Sequence, residues 1–350
     1  MELVNYTPVA AQLRVSTVEG RDDARHGILT AKATFKVGHD GVATLDSQQP
    51  YPIFELDEPT PFGPLPSDDV PRRDRALEVI TLGAAHGHGR TAMTVELEVG
   101  RHRHSLLVTG DRHWTGQRRG AEISEPTPIG RMPLTWDRAH GGSAECWLDE
   151  HSIIDLEHPM NKYGRGFDAS RLAHDLGKAF HPPAGYPRLA PDHRRWLPNL
   201  EDPRHPIAGW SDDPRPYCWA TLPTDIGAHI QQAHDRVKSG DPMGPDEMLE
   251  VVYHRAHPDW VLPIPPSGAS VTLRGMTSRG TWSFRLPRLQ VLADYELGER
   301  AGTRELGPQL LMLLPEESRF YLVYRHFFTM EVTQGMQRSF RLRLAEGWTV

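Results

Sequence analysis

The sequence predicts a mainly β protein (β-rich α+β), with antiparallel, sandwich-like sheets, long irregular loops and few short helices. Three observations carry that expectation. Thirty-one prolines and 31 glycines punctuate the chain; proline blocks helix interiors, and glycine supplies the positive φ of tight turns. Period-two alternation of apolar and polar residues recurs towards both ends, the mark of half-buried strands. Hydrophobic residues reach 38%, with nine tryptophans, enough to build a packed core.

In chain order, Val9 to Val18 and Ile28 to Val37 read as a hairpin joined by loop chemistry at Gly20-Arg21-Asp22-Asp23. In the second strand Leu29, Ala31, Ala33, Phe35 and Val37 form the apolar face, opposite Ile28, Thr30, Lys32, Thr34 and Lys36. Residues 50–75, crowded with proline, read as a long irregular connection. A meander follows over Leu77 to Leu82, Thr91 to Val99 and Arg103 to Thr109, with turns at 83–90 and 100–102. Thr91, Met93, Val95, Leu97 and Val99 make its core face.

From Gly110 to Pro266 few runs are periodic, which suits long loops packed by their own side chains. Short helices are expected at Asp168 to Leu176 and at Asp225 to Lys238, the second capped by Thr224 or Asp225 and ended by Gly240. Strands return at Ser270 to Gly275, Thr281 to Leu286, Gln290 to Leu297, Gln309 to Leu314 and Arg319 to Phe327, with Pro315-Glu316-Glu317-Ser318 turning the last pair. The 350 residues read as one unit, divisible into an N-terminal β region (1–115), a loop-rich middle (116–266) and a C-terminal β region (267–350).

A formal charge of −7 and a pI near 6.2 oppose nucleic-acid binding, since phosphate recognition needs uncompensated Lys and Arg. Arg72-Arg73-Asp74-Arg75 and Arg194-Arg195 both sit beside acidic residues. Two cysteines, Cys146 and Cys218, are too few for a disulfide framework and suit a reducing compartment. No apolar run approaches the roughly 20 residues of a membrane helix, and the first residues lack a signal-peptide pattern. A cytoplasmic address with no membrane contact is expected.

Nineteen histidines invite a metal site, most directly through His86, His88, His102 and His104. The two pairs flank the strand Thr91 to Val99, whose nine residues at about 3.3 Å each hold them nearly 30 Å apart, so the four share no ion. No metal or cofactor ligands are assigned. Cys146 after Gly141-Gly142 lacks a visible activating base, and buried cysteines are usually inert. Gly83-Ala84-Ala85-His86-Gly87-His88-Gly89 lacks the lysine and helix of a phosphate cradle, and no other nucleotide, hydrolase or zincin motif occurs. No catalytic residues are assigned.

More informative are dense segments of Arg, Asp, Gly and Trp: Gly110 to Trp114, Arg131 to Gly142, Gly164 to Phe167 and Leu197 to Pro203. Guanidinium forks there can cap carbonyls or pair with carboxylates while glycine allows close approach. Asp111, Arg112, Trp114, Arg131, Trp136, Arg138, Arg165, Glu201 and Asp202 are therefore the candidates for partner binding or loop bracing. An acid–base alternative would use Asp111, His113, Asp137 and His140.

With Asn5-Tyr6-Thr7-Pro8 before them and Phe284-Arg285-Leu286-Pro287-Arg288-Leu289 after them, these segments in this order resemble a bacterial family, domain of unknown function 2169. Its genes stand beside type VI secretion effectors, and some members act as adaptors that load an effector onto the secretion spike. The resemblance spans nearly the whole chain. It departs from the family pattern at Val9, where an aromatic is common, and at Lys162-Tyr163, where a proline-containing pair usually precedes Gly164-Arg165-Gly166. The resemblance implies a cytosolic adaptor or chaperone, non-catalytic and cofactor-free, whose partner is a secreted effector, with the spike protein as a further candidate. The alternatives are a hydrolase-like enzyme with an unrecognised acid–base site and a carbohydrate-binding β-module using exposed tryptophans.

Overall fold

The computed structural model describes residues 1–18, 21–68, 76–115, 122–147, 153–167, 195–209, 212–223, 254–265, 267–298, 300–331 and 338–345. Among them the chain is β-rich, and no helix reaches seven residues. The helices expected at Asp168 to Leu176 and Asp225 to Lys238 fall outside the described residues.

A ten-stranded sheet dominates. Its main path runs Glu2–Asn5, Arg338–Leu344, Val291–Leu297, Arg300–Leu314, Arg319–Glu331, Arg21–Val37 and Ala10–Val18. The first and last strands of that path are neighbours in sequence, and the sheet curls into a nearly closed, barrel-like form. Four strands from the C-terminal part of the chain thus lie side by side in this path, flanked by strands from the N-terminal part. Arg300–Leu314 serves three neighbours: its first part pairs with Val291–Leu297, Gly307 to Leu314 pairs with Arg319–Arg325, and Leu310 to Leu313 pairs with Glu78 to Thr81. The register shifts between Pro308 and Leu310, where proline has no N–H to give the ladder.

A five-stranded sheet, Leu200–Glu201, His102–Thr109, Ala92–Val99, Ser270–Arg274 and Thr281–Arg285, packs on the first. Phe284 stacks on Phe320 at 4.4 Å between centroids and Phe320 on Phe35 at 5.0 Å, joining the two sheets. Buried Val95, Leu97, Val99, Leu29, Phe35, Val79 and Leu311 belong to one continuous hydrophobic cluster.

Several expectations are corrected. Arg21 to Asp23 are strand rather than loop, because Arg21–Val37 pairs beyond the predicted turn with both Ala10–Val18 and Arg319–Glu331. Residues 83–90 are mostly strand: Ala84–Arg90 pairs with Ile129–Pro133, and the glycines leave room there, since a Cβ on Gly87 would lie 2.5 Å from Ile129. The meander shrinks to the hairpin Ala92–Val99 and His102–Thr109, because Ala76–Thr81 joins the large sheet, parallel to Leu310–Leu313. Pairing is accordingly not all antiparallel; Glu2–Asn5 also runs parallel to Arg338–Leu344. The loop-rich middle contributes short strands such as Ile129–Pro133 and Ser143–Trp147.

The polar face of Arg21–Val37 is buried as well: Thr30, Lys32 and Thr34 are at most 3% exposed. The irregular segment up to Asp68 crosses over it. The Lys32 ammonium donates to Pro52 O at 2.9 Å and to Asp68 Oδ2 at 2.8 Å, and lies over the Phe54 and Tyr321 rings. Arg325 holds Asp68 from the next strand, through Nη2 to Oδ1 and Nε to the backbone oxygen, both at 3.0 Å.

Candidate functional site

The segments Gly110 to Arg112, Trp136 to Gly142, Asn161 to Phe167 and Leu197 to Glu201 converge on one hydrogen-bonded node. Its first part is a 3-10 turn, Trp136–Arg138, anchored by the buried Trp136, whose Nε1 donates to Ala220 O at 3.0 Å. After the turn His140–Gly141 runs parallel to Arg165–Gly166. Such close approach needs glycine: Gly141 has φ +138°, and a Cβ there would stand 2.1 Å from Asn161 O.

Two buried asparagines lock the segments together. Asn161 Nδ2 donates to Trp136 O at 2.8 Å and to His140 O at 2.9 Å. Asn199 Nδ2 donates to Thr109 O at 2.9 Å and Asp111 Oδ1 at 3.1 Å, while its Oδ1 accepts from Arg138 Nη1 at 3.1 Å. Neither asparagine stood out in the sequence as a site residue; only their places beside Gly-Arg-Gly and Leu-Pro hinted at turn chemistry.

Charged groups fill the space between the segments. Arg165 Nε donates to Asp137 O at 3.0 Å, and its guanidinium lies 3.6 Å from Asp111 and 4.0 Å from Asp137. Burial, reinforced by Arg138, lowers the Arg165 pKa. Arg112 pairs with the fully buried Glu201 at 2.7 Å; burial raises the Glu201 pKa and Arg112 opposes the rise.

A second cluster touches the node. His140 Nε2 is 2.9 Å from Asp213 Oδ1, and the His140 and His158 rings meet edge to face at 5.3 Å. Phe167 packs against His158 at 5.4 Å. His158 Nδ1 accepts from the amides of Met160 and Asn161 at 3.3 and 3.2 Å. Burial first, then the neighbouring His140, pushes the His158 pKa down to about 4, so its ring is neutral at neutral pH. One candidate ligand atom from each of His140, His158 and Asp213 lies within 4.8 Å of the others.

A family profile described as an uncharacterized protein conserved in bacteria (DUF2169) matches residues 22–325. The chain belongs to this family. The matched span contains every segment of the node. No curated protein and no solved structure matches the chain.

In this DUF2169 chain the node gathers Asp111, Arg112, Trp136, Arg138, Arg165 and Glu201. Trp114, on the strand His113–Thr115 beside it, pairs in register with Ile123 and Arg195. Asp202 turns away to a bidentate pair with Arg204, at 2.9 and 2.8 Å. Arg131 stands apart, bonded to Glu316 at 3.2 Å and stacked over Phe62.

Asp111 and Asp137 face Arg165, His113 bonds Ser124 at 3.2 Å, and His140 faces Asp213. His86, His88, His102 and His104 lie on strands rather than in turns, and none belongs to the His140 cluster. Trp136, Trp219, Trp260 and Trp282 are core residues, at most 7% exposed, whereas Trp196 is 37% exposed. Cys146 lies opposite Ile154 on Ser143–Trp147; its side chain is outside the described set. Cys218 is buried, which pushes its thiol up to about 12. No described helix is long and apolar enough to cross a membrane.

Proposed function

We propose that this protein is an adaptor or chaperone that binds a type VI secretion effector in the cytoplasm and helps load it onto the secretion spike. The observation that carries the reading is the design of the node. Its charged side chains pair with one another, making a fixed platform, while apolar residues stand out along its rim: Met160 is 55% exposed, Tyr163 53% and Trp196 37%. Exposed aromatics and methionine on a rigid support are the usual anchors of protein recognition. The family resemblance supplies the effector as the partner class.

The test is to delete the gene in its host and measure export of effectors encoded nearby, alongside affinity capture and mass spectrometry. Loss of export of one effector, which also co-purifies with the chain, is the expected result. Normal export of every such effector would refute the reading.

A further inference from the structure

We propose that His140, His158 and Asp213 bind one divalent transition-metal ion, with zinc the best fit. Three separate segments supply the residues: the stretch after the Trp136–Arg138 turn, the end of the strand Ile153–Glu157, and the irregular chain around Asp213. Both imidazoles are at least nine-tenths buried, His140 at 2% and His158 at 8% exposure, whereas the Asp213 side chain is 54% exposed. Two imidazoles and a single carboxylate select a borderline-soft ion over calcium or magnesium, which take oxygen ligands and water.

Distances suit the ion after small side-chain movements. Zinc bonds of about 2.0–2.2 Å in a tetrahedron separate neighbouring ligand atoms by about 3.3–3.6 Å. The present separations run from the 2.9 Å contact of His140 and Asp213 to the 4.8 Å limit of the group. Asp213, exposed, can move back by a fraction of an ångström, and solvent on its side supplies the fourth ligand.

Ligation needs a change of tautomer at His158. Nδ1 now accepts two amides, which leaves Nε2 for the metal, and a neutral ring bound through Nε2 carries its proton on Nδ1. The two amide contacts must therefore open. They are long, at 3.2 and 3.3 Å, the Asn161 amide also bonds His158 O at 3.2 Å, and the exposed Met160 leaves its amide within reach of water. The bound ion joins three loops at the edge of the node, so its effect is to stiffen that platform.

The experiment uses the full chain without a histidine tag. Metal content after dialysis is measured, followed by titration of the metal-free protein with zinc and with cobalt, whose visible bands report tetrahedral ligation. Wild type is expected to hold one ion with a cobalt spectrum and a higher melting temperature in zinc. Asp213→Asn keeps an oxygen for His140 but is a poor ligand; this variant and His158→Gln are expected to lose both ion and spectrum. A wild type that takes up neither metal overturns the proposal and leaves a hydrogen-bonded latch. Undiminished binding by the folded Asp213→Asn variant overturns it too, placing the ion elsewhere among the nineteen histidines.

Discussion

Asp68 is a carboxylate shared by two buried cations, Lys32 and Arg325, and its loss is the sharpest test of how the irregular segment is held. It is fully buried and accepts from Lys32, Arg325 and the amide of Phe54 at 2.8–3.0 Å. Asp68→Asn takes the shared carboxylate from Lys32 and Arg325, and breaking such a buried pair costs about 3–5 kcal/mol. With an unfolding entropy of about 0.7 kcal/mol per kelvin for a chain of 350 residues, cooperative melting falls by about 4–7 °C. Lys32→Met is the contrasting change. The Asp68–Arg325 pair stays neutral, and methionine packs between the Phe54 and Tyr321 rings. Pro52 O loses its donor at a cost of about 1–2 kcal/mol, offset by no longer burying the ammonium. Stability at pH 7 should therefore stay within about 1 kcal/mol of wild type.

The two variants also differ in pH response. Burial, only partly opposed by Asp68, holds the Lys32 pKa down at about 8 against an ordinary 10.5. Between those values the unfolded chain binds more protons than the folded one, so this lysine makes stability rise with pH, by about 1.4 kcal/mol per pH unit inside the window. Buried Cys218 and Tyr217, both raised to about 12, act in the opposite direction at high pH. They are common to wild type and Lys32→Met, so the difference between these two isolates the lysine. Urea unfolding followed by tryptophan fluorescence at pH 7 and 9.5 should show wild type gaining about 2 kcal/mol on the variant. The reasoning fails if Lys32→Met is as damaging as Asp68→Asn, or if the difference is flat with pH.

Three further outcomes follow from the packing. Gly141→Ala drives a methyl into Asn161 O at a positive φ, and thermal melting should show a loss of at least about 2 kcal/mol. Phe320→Ala empties the stack between Phe35 and Phe284 and should cost about 3–5 kcal/mol in chemical denaturation. The pair Met160→Ala and Tyr163→Ala should change stability by no more than about 0.5 kcal/mol, yet weaken capture of the partner by about tenfold or more in a binding titration.

Alternation along the chain was enough to place Ser270–Arg274, Thr281–Arg285, Val291–Leu297 and the Ala92–Val99 hairpin, because each buries one face and exposes the other. Proline and glycine content settled the shortage of helix in the same local way. Lys32 and Thr34 misled for a tertiary reason: their face is polar in sequence but covered by the segment ending at Asp68, whose carboxylate makes burial tolerable. Residues 84–90 were no more legible, since their strand exists only through Ile129–Pro133. The dense Arg, Gly and Trp segments announced a special region, but not which side chains meet. Asn161 and Asn199 act through backbone carbonyls that other segments bring to them, and His140, His158 and Asp213 stand 73 residues apart at their widest. Local spacing carries a strand's two faces because its geometry repeats every second residue; contacts between distant loops have no such period, and only the folded chain decides them.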